Sequence, residues 1–317
     1  MPSQKPRKII IDTDPGQDDA VALLLALASP DELDVLGVIA VAGNAPLHHT
    51  LNNARRVVEL SGRTDVPVFA GSERPMRRTL VTAEQVHGET GLDGVDLPPP
   101  SLPEQAKGGV DFLIDTLRAA EDGEITLVTL GAMTDLGHAF TRAPDVTAKV
   151  REVVLMGGSW HEGGNVTPAA EFNIYVDPDA ANIVFRSGVP LVMLPLDATH
   201  NVRSTPERMA HLRALPNRCG PMAAQILKAS EAWDLAKFGW DGAPLHDPCT
   251  IAYLLQPELF SGRRVNVEIE TQSELTLGMT VVDWWKATER APNALFLNRA
   301  EADGFYALLS DRLSRLP

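Results

Sequence analysis

Up to residue 197, apolar runs of strand length alternate with segments whose apolar residues recur at helical spacing. KIII, LDVLGVIAVAG, VPVFAG, ITLVTLG, VREVVLMGG and VPLVMLPLD read as strands, and their Val, Ile and Leu residues run on without polar alternation. DDAVALLLALAS, LHHTLNNARRVVELSG, GGVDFLIDTLRAAEDG, MTDLGHAFTRAP and DPDAANIVFRSG read as the intervening helices. Gly62 predicts the stop of the second and Pro144 that of the fourth. Asp177 predicts a cap on the fifth, with Pro178 in its first turn. Continuous apolar strands separated by helices predict an α/β fold with a mostly parallel central sheet covered on both faces. From Arg263 onward, RRVNVEIE, GMTVVDWW and NALFLN read as three further strands and RAEADGFYALLSDRL as a closing helix. Three stretches read as loops: 71–103, rich in Gly and Pro and a candidate lid; 157–176; and 235–247. No Ser/Gly-rich or charge-block linker divides the chain, so residues 1–317 are expected to form one large domain.

In such sheets the ligand crevice lies beyond the carboxyl ends of the strands. Functional residues are therefore expected at Asp12–Asp19, Asn44, Leu130, Met156 and Asp197. The first of these places holds four aspartates, Asp12, Asp14, Asp18 and Asp19, between a strand and a helix. Like charges converge when something positive binds between them. The stretch lacks the glycines and lysine of a phosphate loop, and carboxylate clusters select hard cations, Ca²⁺ or Mg²⁺. The start of the helix near Asp18 offsets some of the repulsion, and Pro15–Gly16 supplies the turn that lets Asp14 and Asp19 face one point. For any single aspartate, helix capping or plain solvation is an equal account. For the whole cluster, a metal or catalytic site is the better one.

Charge narrows the partners. Net charge is −14, so nucleic acid and anionic membranes are poor candidates, both favouring basic patches. No apolar run is long enough to span a bilayer, and the basic start MPSQKPRK precedes an apolar stretch broken by Asp12 and Asp14, unlike a secretion signal. Cys219 and Cys249 have no metal-ligand spacing and suit a reducing, cytoplasmic setting.

DTDPGQDDA resembles the N-terminal signature of the nucleoside hydrolases, the inosine–uridine-preferring N-ribohydrolases. VAGN at 41–44, VVLMGG at 153–158, GGNVTPAAEFNIYVDPDAA at 163–181 and HDP at 246–248 recur in that family's order, so the resemblance spans nearly the whole chain. It implies Ca²⁺-dependent hydrolysis of the N-glycosidic bond of ribonucleosides. It assigns the metal to Asp14, Asp19, the main-chain carbonyl of Leu130 and Asp247. Asp14 then serves as general base and His246 as the acid that protonates the leaving base. Asp18, Asn44, Asn165, Glu171 and Asn173 hold the ribose, Met156 packs against it, and His87 reaches the base. A homodimer or homotetramer is the implied assembly. Taken alone, each asparagine reads better as a loop cap and Met156 as plain core; the family register turns the asparagines toward the ribose and leaves Met156 even between the two.

Base recognition is where the resemblance thins. Family members place tyrosines on the helix before HDP, and here that helix reads ILKASEAWDLAKFGWDG. Trp233, Phe238 or Trp240 is left to cover a base, or merely to pack. His48 and His49 read as a solvated helix start. Rival readings are a Mg²⁺ phosphatase, which the DTD start mimics but EFN and HDP do not fit; a hydrolase of an unusual N-riboside; and a non-catalytic nucleoside- or sugar-binding protein, against which the intact Asp14, Asp19, Asn173 and Asp247 argue.

Overall fold

A computed structural model describes residues 5–317; the first four residues of the basic start lie outside them. The chain runs β1 (Arg7–Thr13), α1 (Gln17–Leu27), β2 (Leu33–Ala40), α2 (Leu47–Leu60), β3 (Val68–Ala70), α3 (Glu84–His87), α4 (Gly109–Arg118), β4 (Ile125–Thr129) and α5 (Thr134–Arg142). Next come β5 (Val150–Met156), α6 (Phe172–Val176), α7 (Pro178–Phe185), β6 (Leu191–Leu194), α8 (Leu196–Thr199), β7 (Arg203–Ser204), α9 (Pro206–Arg213) and α10 (Cys219–Phe238). The last part holds β8 (Ala243–Pro244), α11 (Pro248–Leu255), β9 (Phe260–Val265), β10 (Val267–Ile269), β11 (Thr280–Val282), β12 (Ala294–Ala300) and α12 (Ala302–Leu313).

Eight strands form one sheet in the order β3-β2-β1-β4-β5-β6-β12-β9. All neighbours pair in parallel except β9, which runs antiparallel to β12 at the edge. Helix α1 is apolar all round and buried from Asp19 to Leu27, as befits a helix enclosed on every side. It packs with α2, α10 and α11 on one face of the sheet, while α4, α5 and α7 cover the other. Strands β1 and β4 are neighbours, yet their connections leave to opposite sides, so their carboxyl ends form the topological switch point.

The local signals behave as expected at several ends. Gly62 adopts a left-handed φ of 78° just past α2. Asp177 caps α7, its side chain accepting from the Ala180 amide at 3.0 Å. Others need correction. RRVNVEIE is not one strand: β9 starts earlier, at Phe260, and the chain turns at Asn266 into β10, which pairs with β11 in a separate hairpin. The loop read at 235–247 begins late, because α10 continues to Phe238 before Gly239 ends it at φ 65°. The stretch 157–176 contains α6, and 71–103 contains α3. Among the described residues, no helix is long and apolar enough to cross a membrane.

Candidate active site

The turn after β1 is built around Asp19. Its Oδ1 accepts from the Thr13 hydroxyl at 2.6 Å and its Oδ2 from the Gly16 amide at 3.0 Å. Asn44, beyond β2, donates its amide to Asp14 Oδ2 at 2.7 Å and its Nδ2 to the Asp14 carbonyl and to Asp19 Oδ2, both at 3.2 Å. Backbone presses on the Asp14 carboxylate from two sides. A Cβ at Gly43 would stand 2.0 Å from Oδ2, and one at Gly131 2.1 Å from Oδ1, so only glycine fits either place. Asp247, just before α11, completes the group: carboxylate oxygens of Asp18, Asp19 and Asp247 lie within 4.8 Å of one another.

Burial pushes the pKa of Asp14, Asp19 and Asp247 up, and their mutual repulsion, with that of Asp18, adds to it. Asp14 Oδ1 is buried and accepts no hydrogen bond. The Asp18, Asp19 and Asp247 carboxylates, with the orphan Asp14 oxygen buried nearby, form an all-oxygen cradle that could hold a hard cation, which would relieve the cost of burying these charges. The Leu130 carbonyl, at the end of β4, lines the same cavity and accepts from Asn173 Nδ2 at 2.6 Å. Asp12 is not part of the cradle. It is buried against Asp135, whose other oxygen accepts from Ser72 Oγ at 2.6 Å.

The cradle opens into a cavity of about 120 Å³. Asp18, Asn44, His87, Leu130, Met156, Asn165, Glu171, Asn173, His246 and Asp247 all line it, while Asp14 and Asp19 lie buried beneath. Several of these side chains hold each other. Glu171 caps α6, accepting from the Asn173 and Ile174 amides at 2.9 and 3.3 Å and from the Gly158 amide at 2.8 Å. Burial raises its pKa to about 7 against the pull of those donors. Asn173 Nδ2 also reaches the Met156 carbonyl and sulfur at 3.2 and 3.3 Å, leaving its Oδ1 for a ligand. Asn165 Oδ1 accepts from the Phe172 amide at 2.9 Å.

Two histidines face the cavity. His87 Nδ1 meets Gln17 Oε1 at 2.5 Å, and burial lowers its pKa to about 4. His246 Nδ1 meets the Thr199 hydroxyl at 2.7 Å. Burial, then His200 and His87 nearby, lowers its pKa to about 3, so the ring is neutral.

Of the three aromatic candidates only Trp233 lines the cavity. Phe238 and Trp240 stack on each other at 4.3 Å with His200 edge-on to both, and they serve packing. Asp197 is a further correction. Its carboxylate accepts from the Trp160 and His161 amides, both at 2.8 Å, and fixes that loop instead of facing the cavity. Sequence reasoning missed Ser230 and Asp234, which line the cavity from α10 with Leu227 and Trp233. Their spacing of three and four marks one helical face. A polar face on a helix normally signals solvent, and here that face turns into the cavity. Burial, with Asp18 nearby, raises the Asp234 pKa to about 7.

Residues 9–307 match the family model described as inosine-uridine preferring nucleoside hydrolase. Over 309 residues the chain is 48% identical to the pyrimidine-specific ribonucleoside hydrolase RihA of Shewanella sp. (strain MR-4), covering 97% of this chain and 96% of that one. The solved plant nucleoside hydrolase PpNRh1 superposes with a TM-score of 0.91 at 30% identity, covering 98% of this chain and 99% of that one. The purine-preferring ribonucleoside hydrolase from Gardnerella vaginalis gives 0.90 at 28% identity, covering 97% and 98%.

Proposed function

The chain belongs to the inosine-uridine preferring nucleoside hydrolase family, and from that premise we propose that it releases base from ribonucleosides, pyrimidines foremost, with Ca²⁺ held by Asp14, Asp19, the Leu130 carbonyl and Asp247. The observation that carries this reading is the convergence of Asp18, Asp19 and Asp247, with Asp14 buried beside Asp19 and its Oδ1 unpartnered, at a cavity that His87 and His246 also line. The larger identity to a pyrimidine-specific relative than to a purine-preferring one supports the base preference.

The reaction adds one water across the bond between ribose C1′ and the base nitrogen. Bound Ca²⁺ would supply a Lewis acid that makes water more acidic and takes the ribose diol as oxygen ligands. Asp14, wedged between Gly43 and Gly131, accepts the proton of the attacking water. The surrounding carboxylates stabilise the oxocarbenium character that grows on the sugar. Asp18, Asn44, Asn165, Glu171 and Asn173 orient the ribose, with Met156 packed beside it. His246 faces the departing base; its ring N–H proton passes to the base nitrogen as the ring takes a proton back from water, and His87 covers the base from α3. The proposed setting is the cytoplasm, where the buried free thiols of Cys219 and Cys249 stay reduced. A closed homodimer or homotetramer is the proposed assembly; exposed Leu275, Val281 and Trp285 supply apolar surface for it.

The test is a product assay. Uridine, cytidine, inosine, adenosine and guanosine are each incubated with and without a strong Ca²⁺ chelator, and free ribose and base are measured. Ribose from uridine and cytidine that stops with chelator is expected. Release that persists in chelator would remove the metal, and no release from any of the five would remove the ribonucleoside reading.

A further inference from the structure

The hydroxyl of Thr199 has no role in the mechanism above, yet it is fully buried and lies 2.7 Å from His246 Nδ1. We propose that Thr199 is the positioning residue of the reaction, holding His246 in the tautomer that carries its proton on Nε2 and turning that nitrogen toward the leaving base. The inference rests on the assignment of His246 to the leaving group.

Hydrogen-bond accounting gives the direction. Among the described contacts, the Thr199 hydroxyl has one side-chain partner, the His246 ring. A buried hydroxyl hydrogen needs an acceptor. It finds one only if Nδ1 is the bare, accepting nitrogen, which puts the ring proton on Nε2. Were Nδ1 the donor, the threonine hydrogen would be stranded. Nδ1 is thereby engaged, and Nε2 is the nitrogen left for the cavity that His246 lines.

The two side chains are held in register by backbone. Strands β7 and β8 pair, and the Leu245 amide donates to the Val202 carbonyl at 2.8 Å, so the segment after Thr199 and the segment before His246 are one ladder. The Thr199 amide is itself fixed to the Pro195 carbonyl at 3.1 Å in α8. The next residue, His200, stands 5.8 Å from His246 between ring centroids and is tied to Glu162 Oε2 at 2.9 Å, which closes the other side of the ring. Such a frame fixes orientation as well as tautomer.

Thr199→Val keeps the shape and removes the hydroxyl; Thr199→Ser keeps the hydroxyl. With uridine, Thr199→Val is expected to lower kcat roughly 30-fold with KM changed less than about threefold. With p-nitrophenyl riboside, whose leaving group needs no proton, the loss is expected to be at least about tenfold smaller, and Thr199→Ser restores most of the uridine rate. Nitrogen NMR of isotope-labelled histidine gives a readout free of activity: wild type shows the Nε2–H form of His246, and Thr199→Val a mixture of tautomers. Equal losses on both substrates, an unchanged uridine rate, or a wild-type ring protonated on Nδ1 would each overturn the proposal. A tautomer shift in a protein that cleaves no riboside would support the hydrogen bond while felling the functional reading it serves.

Discussion

Asp12 and Asp14 stand two positions apart and serve different ends. The sequence made the aspartates legible as a cluster, because so many carboxylates between a strand and a helix need a positive partner. It did not say which of them turn inward. Asp14 lies past the last residue of β1, where the chain bends through Pro15–Gly16, and its carboxylate is enclosed by Gly43 and Gly131. Asp12 is still in the strand and packs against Asp135. As proposed base and ligand, Asp14→Ala is expected to drop turnover by at least about 10³-fold while circular dichroism stays native, since the change also removes a buried repelling charge. A rate within tenfold of wild type would refute the assignment. Glu171 makes a stability claim with a definite sign. Its folded pKa is raised to about 7 from 4.5, so between those values the folded protein keeps a proton that the unfolded chain has lost. Stability from this group is full below the unfolded pKa and is lost as pH rises toward 7. Denaturant titrations of wild type and Glu171→Gln should therefore diverge across that window, wild type declining by up to about 3 kcal/mol relative to the variant. Parallel curves would mean that the carboxyl is ionised throughout.

At the scale of elements, helices with one clear job were readable in full, whereas the helix with two was read as a helix without its cavity face or its end. Helix α1 announces itself by an unbroken apolar run, and α7 by Asp177 and Pro178 at its start. Helix α10 packs Cys219, Ala223, Ile226 and Leu227 into the core near its beginning, then carries Ser230, Trp233 and Asp234 over the cavity. Its inward face changes from apolar to polar along its length, so periodicity fades where the helix becomes functional. Lys237 then joins it to the glycine-rich loop through the Asn165 carbonyl at 2.6 Å, a long-range contact without a local signal. The cap on α7 reaches further than capping predicts. Besides the Ala180 amide, the Asp177 carboxylate accepts from the Met76 amide and the Thr134 hydroxyl, both at 2.8 Å, joining α7 to α5 and to the 71–103 loop. Asp177→Ala strands these buried donors and is expected to cost about 3 kcal/mol in denaturant unfolding, well beyond the ~1 kcal/mol of a surface cap. A loss of 1 kcal/mol or less would show that the three elements stay joined without it.

For the whole molecule, alternating apolar strands and helices told that the sheet is mostly parallel and that function gathers at its carboxyl edge. Strand order is a long-range property, and nothing local in the sequence announced that β1 would lie beside β4 or that β12 would follow β6. That order decides the site: β1 brings the aspartates, β4 the Leu130 carbonyl and β2 Asn44 to one crevice, and α11 brings Asp247 across from above. In a chain of net charge −14, carboxylates gathered at such a point repel one another, and a bound cation would relieve that repulsion. Binding to the folded state alone should then stabilise the entire fold by mass action, by about 2.7 kcal/mol at a hundredfold excess over Kd. For a protein of this size that corresponds to roughly 5 °C in Tm. Thermal unfolding of chelated protein is expected to rise by that amount on adding Ca²⁺ and by less with Mg²⁺, whose octahedral demands fit a sugar diol and clustered carboxylates less well. The shift should vanish in Asp247→Asn, which removes a charge without moving the backbone of α11. A Ca²⁺ shift that survives in this variant would place the ion elsewhere on the acidic surface, and an equal response to Mg²⁺ would reopen the identity of the metal.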